Sequence, residues 1–479
     1  MRCIIILFII SACHGQINPM NAAGGTVQPA AATFANPPKL PATGSAYLFT
    51  DATAAGTCSG GGVASAVCRW NGRAWLPRSV GPFPGASNTV VLLGDSITMF
   101  NAPSADGYLA YNGQAYFTWA NAFLKQGFQV VNYAGVSGNT TTQMLARVST
   151  DVVAYSPGWC VVMGGTNDIT TGVSSSTIIS NLKSIYTALN NAGIRMVLLT
   201  ILPDSRYGSD STGQATWVTV NLWMKEWAKQ QSSVVLVDTA AAIIDATNPN
   251  LAMISTCCMD SGVHPNMSGS YLLGQAIANA LSTAMVPPAT LPEWNRDPLN
   301  FIVNTMNAGT GGSTASGATG SVATSWTLTN NGTTCAGSKG TRSDGLPGVT
   351  QIITMTGSGT TSHCDYTQTI SGWSNGDTLW AQAEIMAGSV IGHHFLLVMN
   401  YHTAGGDYLY TWGGETSQSS QAAVSQTLPS TIVVRTAPKQ IWGAILSITA
   451  GIYVYGTSGA ITVGRVEVRK VVAPSSGDA

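Results

Sequence analysis

The sequence predicts a three-layer α/β domain followed by an all-β domain, and three observations predict it. Between residues 88 and 286, short apolar or β-branched runs alternate with helical stretches. A Gly/Ser/Thr-rich segment, "NAGTGGSTASGATGS", follows. From Trp326 to Val472 helical periodicity is absent, and apolar-aromatic runs are broken by Gly, Ser and Asn clusters, as in a β-sandwich or jelly roll.

Taken in order, residues 1–15 carry a short basic start and the apolar run Ile4 to Ile10, which is too short to span a bilayer and reads as a leader. Two forms of leader are open. One is an ordinary secretory signal; the other is a lipoprotein leader, because Ile10-Ser11-Ala12-Cys13 looks like a lipobox and would lipidate Cys13. Residues 16–44, rich in Ala, Pro, Gly and Asn, read as a linker. Residues 45–80 read as a small β-hairpin module, since Asn71-Gly72 between two apolar-aromatic arms signals a two-residue type I′ turn.

Residues 81–290 hold the α/β pattern. Thr89–Leu93, Gln129–Asn132, Trp159–Met163, Met196–Ile201 and Val234–Val237 suit strands buried on both faces of a parallel sheet. Ile178, Leu182, Ile185 and Leu189 fall on one face of a helix that stops at Gly193, and a last helix begins near Pro265. Residues 291–325 read as a flexible linker and 326–479 as the β-sandwich.

Composition narrows the setting. Charged residues are 9% of the 479, against about 25% in average soluble proteins. Gly, Ala, Ser and Thr fill the surface, which favours an extracellular or periplasmic chain. The net charge of −1 supplies no basic field for nucleic acid or anionic lipid, and no later segment is long and apolar enough for a membrane helix. Cys58 with Cys68, and Cys335 with Cys364, are plausible disulfides. Cys160 sits in an apolar run and reads as a buried thiol. Cys257 and Cys258 are adjacent and could bond each other, bond Cys160, or stay reduced. No Cys or His spacing resembles a metal site, and no cofactor is expected.

Four short blocks carry chemistry. The first strand runs into Gly94-Asp95-Ser96, at the sheet edge where open α/β folds bind ligands. The second ends in "VVNYAGVSGNTT" and is read with Gly138 opening the next helix, its backbone N–H pointing outward. The third ends in "VVMGGTND", where the Asn167 amide can donate. His264 lies just before the last helix with Asp260 nearby, and it is the only histidine between residues 15 and 362. An ester hydrolase needs an activated hydroxyl, a base and donors where negative charge develops. Ser96, His264, and the Ser96, Gly138 and Asn167 donors would supply these.

"GDSIT", "GVSGNT", "GGTND" and "DSGVHPN", in this order, closely resemble the blocks of the SGNH hydrolases, the GDSL esterase superfamily. The resemblance covers about 200 residues. It implies a flavodoxin-like three-layer α/β/α fold and metal-free ester hydrolysis. It also implies Ser96 as nucleophile, His264 as base and Ser96, Gly138 and Asn167 as the oxyanion hole. The family places an Asp three residues before the His. Here that position is Ser261, and Asp260 stands four before. Either Asp260 still orients His264, or a backbone carbonyl does; Asp260 is the favoured reading.

The C-terminal region is aromatic, and Trp373, Tyr408, Tyr410 and Trp412 are candidate sugar-stacking residues. This resembles, in architecture, the carbohydrate-binding modules of secreted glycan-active enzymes. The expected function is removal of O-acetyl or short acyl groups from a polysaccharide. The alternatives are a broad short-chain lipase or arylesterase, and a non-catalytic glycan-binding adhesion protein.

Overall fold

The computed structural model describes residues 88–103, 110–111, 113–257, 262–285, 299–357, 362–391, 394–412, 426–455 and 459–471, with 291, 295 and 297, and the backbone of four strands before residue 80. The chain divides into two compact units, Met1–Gly85 and Ala86–Ala479. In the first, Ala30–Ala32, Ala46–Ala52, Ala64–Trp70 and Trp75–Arg78 form one sheet. Two expectations change here. Part of the 16–44 linker is a strand, pairing parallel with Ala46–Ala52. The hairpin pairs Trp70 with Trp75, so its loop has four residues instead of two. The leader with Cys13 and the partner cysteine Cys58 lie outside the described residues.

The second unit begins with β1 (Thr89–Gly94), β2 (Gln129–Gly135), β3 (Trp159–Met163), β4 (Arg195–Leu199) and β5 (Val234–Val237). They pair in parallel in the order β5-β4-β3-β1-β2. That is the flavodoxin-like 2-1-3-4-5 order, with its switch point between β1 and β3. The helices are α1 (Ser96–Met99), α2 (Tyr116–Phe123), α3 (Thr141–Asp151), α4 (Thr166–Thr170), α5 (Ser175–Asn191), α6 (Ser205–Gly208), α7 (Ser211–Ala228), α8 (Thr239–Ile243) and α9 (Met267–Leu281).

Side-chain alternation along β1 builds the layers. Val90 and Leu92 join a core with Phe117 of α2 and Leu273 and Ile277 of α9. Val91 and Leu93 join a second core with Met144 of α3, Leu182 of α5 and Met224 of α7. A strand buried on both faces can be apolar throughout, which is why its sequence run was unbroken. In α5 the Ser174 side chain accepts the Thr177 N–H, and Ile178, Leu182, Ile185 and Leu189 are the buried face. Pro265 stands before the cap of α9, which is Asn266, and so lies just outside the helix.

Among the described residues, two seven-stranded sheets of the all-β region enclose one core, and Val390–Ile391 pairs with Gln426–Thr427 in a further two-stranded sheet. Tyr366, Ile448 and Ile452 of one sheet and Ile353, Val463 and Val466 of the other share a cluster. The Cys335–Cys364 disulfide joins strand Thr334–Thr341 of one sheet to His363–Ile370 of the other. Closing this 29-residue separation removes about 3–4 kcal/mol of unfolded-state freedom in the chain-entropy account.

The segment expected as a flexible linker is part of this body. Gly311–Ala315 pairs with Val322–Asn331, and Thr319–Gly320 pairs with the opposite sheet. Phe301 N–H donates to the Val468 carbonyl, Val466 N–H to the Thr305 carbonyl, and the Trp326 indole to the Asn304 carbonyl. Small residues here permit close backbone contact: a Cβ on Gly312 would lie 2.2 Å from the Ala323 carbonyl. The two regions are also packed together. Trp119 and Ala122 of α2 and Met267 and Tyr271 of α9 belong to the sandwich core. Trp119 meets Trp412 edge-to-face at 5.0 Å, the Gln126 amide donates to the Val433 carbonyl, and Ala110–Tyr111 extends the sheet beside Gly406–Trp412.

This packing removes Trp412 and Tyr410 from the expected sugar-stacking set. Trp412 is 1% exposed and Tyr410 2%, so neither offers a free ring face. Trp373 is partly buried against the core. Tyr408 is 38% exposed and stands edge-on to Trp442. Trp412→Ala is expected to cost about 3–5 kcal/mol in urea unfolding, as deletion of a buried indole does. Tyr408→Ala should change stability little. A Trp412→Ala protein as stable as wild type would contradict the packing.

Candidate active site

Ser96 is placed by a turn that only glycine permits. A Cβ on Gly94 would lie 2.1 Å from Thr98 Oγ1 and 2.5 Å from the Met163 carbonyl. One on Gly135 would lie 2.2 Å from the Met99 nitrogen, so α1 packs directly over the end of β2. Asp95 caps α1, its Oδ1 accepting the Ile97 N–H at 3.0 Å. Ser96 is therefore the first residue of α1, half-buried at the carboxyl end of the strand between β2 and β3.

His264 reaches it from the other end of the domain. Asn266 holds the loop: its backbone N–H donates to the Cys257 carbonyl, its amide to the Thr256 carbonyl at 2.7 Å, and its Oδ1 accepts the Gly269 N–H. His264 Nε2 stands 2.9 Å from Ser96 Oγ across 168 positions of sequence. The Phe100 ring packs edge-to-face on the imidazole at 5.3 Å. With the ring proton on Nδ1, Nε2 is the acceptor for the serine hydroxyl.

The other two blocks meet beside them. Gly138 is exposed with φ +75°, in a turn closed by Asn139 N–H to the Val136 carbonyl. It does not open α3, which starts at Thr141 behind the Thr140–Gln143 capping box. Asn167, half-buried on α4, donates its amide to the Asn139 carbonyl at 3.0 Å, which ties the third block to the second. Asp168 adds a second tie. Its buried carboxylate accepts the Thr141 N–H at 2.8 Å and the Thr141 hydroxyl at 2.6 Å. Burial raises its pKa despite these two bonds.

Of the expected site residues, the structure brings Ser96 and His264 into contact and links the Gly138 turn to Asn167. Asp260 and Cys258 lie outside the described residues. Cys257 and Cys160 are buried, and burial pushes the Cys160 thiol up, which suits an unreactive core cysteine. His402 contacts Asp407 and Thr449, and His363 stacks on Tyr455. The residues missed by sequence reasoning are Asp168, Asn139 and Arg147. Asp168 and Asn139 stand next to recognised residues in "GGTND" and "GVSGNT", and that adjacency was the available signal.

Asp95 carries a charge consequence. Burial pushes its pKa from 3.8 up to about 6, while the Ile97 N–H and the nearby His264 pull it down. The folded state therefore binds this proton more tightly than the unfolded chain. Its contribution to stability is lost as pH rises from about 4 to about 6, by roughly 3 kcal/mol at most. Asp95→Asn keeps the oxygen that caps α1 and removes the charge. Its melting temperature relative to wild type should be more favourable at pH 8 than at pH 4. An equal difference at both pH values would show that Asp95 is not charged at a cost.

Residues 92–272 match the GDSL-like lipase/acylhydrolase family, so this segment is a GDSL-like domain. Among individual proteins, an acetylxylan esterase of Geobacillus stearothermophilus is 34% identical over 92 residues, 18% of this chain and 42% of that protein. The chain thus matches less than half the length of this curated relative. Two solved structures resemble it: an acetylxylan esterase from Geobacillus stearothermophilus and a GDSL-like lipase from Bacteroides thetaiotaomicron VPI-5482. Both are 22% identical with a TM-score of 0.33; they cover 40% and 44% of this chain, and 93% of each structure is matched.

Proposed function

We propose that the chain is a carboxylic ester hydrolase that removes O-acetyl groups from a polysaccharide, exported to the periplasm or the medium. The observation that carries the reading is the 2.9 Å contact between Ser96 Oγ and His264 Nε2 at the switch point of a parallel sheet. The family match of residues 92–272 supports the reaction class. The similarity to an acetylxylan esterase supports acetyl as the acyl group and a glycan as its carrier.

His264 takes the Ser96 proton as Oγ bonds to the ester carbonyl carbon. The carbonyl electron pair moves to oxygen, and the Ser96 N–H, Gly138 N–H and Asn167 amide donate to it. Loss of one such donor costs about 3–4 kcal/mol of transition-state stabilisation. Collapse breaks the ester C–O bond, and His264 returns the proton to the leaving sugar hydroxyl. Water, deprotonated by His264, then attacks the acetyl-serine; the acyl C–Oγ bond breaks, acetate leaves, and His264 returns the proton to Ser96 Oγ. Asp260 orients the imidazole through Nδ1 and stabilises its charged form.

Acetate release from acetylated xylan and pectin, measured beside p-nitrophenyl esters of rising chain length, tests this. Wild type should prefer acetyl, and Ser96→Ala should lose at least about 10³-fold in kcat. Asp260→Asn should lower kcat strongly, by about 10²–10⁴-fold. Hydrolysis of none of these substrates by wild type would refute the esterase reading. Octanoyl preference would make the enzyme a lipase, and a near-normal Asp260→Asn would remove Asp260 from the triad.

A further inference from the structure

The three proposed oxyanion donors sit on three different loops, and one side chain reaches two of those loops directly. Arg147 lies on α3, mostly buried, and its guanidinium makes three hydrogen bonds of 2.8 Å. Nη2 donates to the Gly94 carbonyl, at the end of the strand that delivers Ser96. Nε donates to Asn139 Oδ1, in the turn that carries Gly138. Nη1 donates to Asp151 Oδ2, one helical turn on. The third loop is reached at one remove, since Asn167 donates to the Asn139 carbonyl.

The arrangement is braced on both sides. The Gly94 carbonyl accepts Arg147 and also the Val136 N–H at 3.1 Å, so β1 and the Gly138 turn are joined twice. Asp151 is held in turn: Thr150 donates to its other oxygen, and Asn132 on β2 donates to its backbone carbonyl. Three N–H groups in one rigid plane fix the relative positions of their acceptors as a lysine ammonium cannot. A displacement of about 1 Å among such donors can cost about 10² in rate.

We propose that Arg147 is a positioning residue for ester hydrolysis, holding the Ser96, Gly138 and Asn167 donors at one spacing; this rests on the esterase reading above. It does not touch substrate. Its loss should lower kcat with little change in KM, because the donors matter most when charge develops on the carbonyl oxygen.

The test uses the full chain and p-nitrophenyl acetate. Arg147→Lys and Arg147→Ala should each lose about 10²-fold in kcat with KM close to wild type. Guanidinium at sub-denaturing concentration should restore part of the Arg147→Ala kcat, where the same concentration of sodium chloride does not. Asn139→Ala, which removes one acceptor and leaves Arg147 in place, serves if the arginine variants do not fold; it too should lower kcat and spare KM. Wild-type kcat in folded variants would overturn the proposal while leaving the esterase reading intact. So would a loss that follows the fall in melting temperature and ignores guanidinium. An inactive wild type would overturn both.

Discussion

The close approach of α1 to the ends of β2 and β3 is the constraint on which the site depends. It exists because Gly94 and Gly135 have no side chains; a Cβ at either would overlap Thr98, the Met163 carbonyl or the Met99 backbone. With α1 seated that low, Ser96 lies beside the loops that follow β2 and β3. Sheet order does the rest. Because β1 stands between β2 and β3, the three loops carrying Ser96, Gly138 and Asn167 leave neighbouring strand ends. His264 then needs only the short, well-anchored turn before α9 to meet Ser96.

The interactions around this point serve geometry before stability. Asp95 buries a carboxylate to cap a single helical turn, and its second oxygen has no hydrogen-bond partner among the described residues. Asp168 buries another to join α4 to α3. Buried charge of this kind is costly unless it is fully bonded. The compensation lies elsewhere, in the two apolar layers against the sheet and in the sandwich that packs on α2 and α9. The β-rich region thus acts first as a structural partner of the α/β domain, with Trp412 at the junction.

Much of this was legible in the sequence, for identifiable reasons. Strands buried on both faces leave unbroken apolar runs, as β1 and β3 do; the edge strands β2 and β5 are only partly buried, against the expectation, and showed through their paired valines. A long amphipathic helix such as α5 leaves a 3.6-residue period. Ser96, Gly138, Asn167 and His264 stand in ordered blocks that mark them out. What failed to show has a different physical basis. Small residues have no period, so Gly311–Ala315 looked like linker when it is a strand. An aromatic residue reads the same in a binding face and in a domain junction, so Trp412 could not be placed. Arg147 bonds to a backbone carbonyl 53 positions away, and a carbonyl has no sequence signature.

The central claim is that Ser96 is a nucleophile activated by His264. Intact-mass and peptide analysis after reaction with a fluorophosphonate tests it most directly. The account predicts one adduct per chain, on the peptide containing Ser96, formed far more slowly in His264→Ala. An adduct on another serine, or labelling of Ser96 at the same rate without His264, would contradict it.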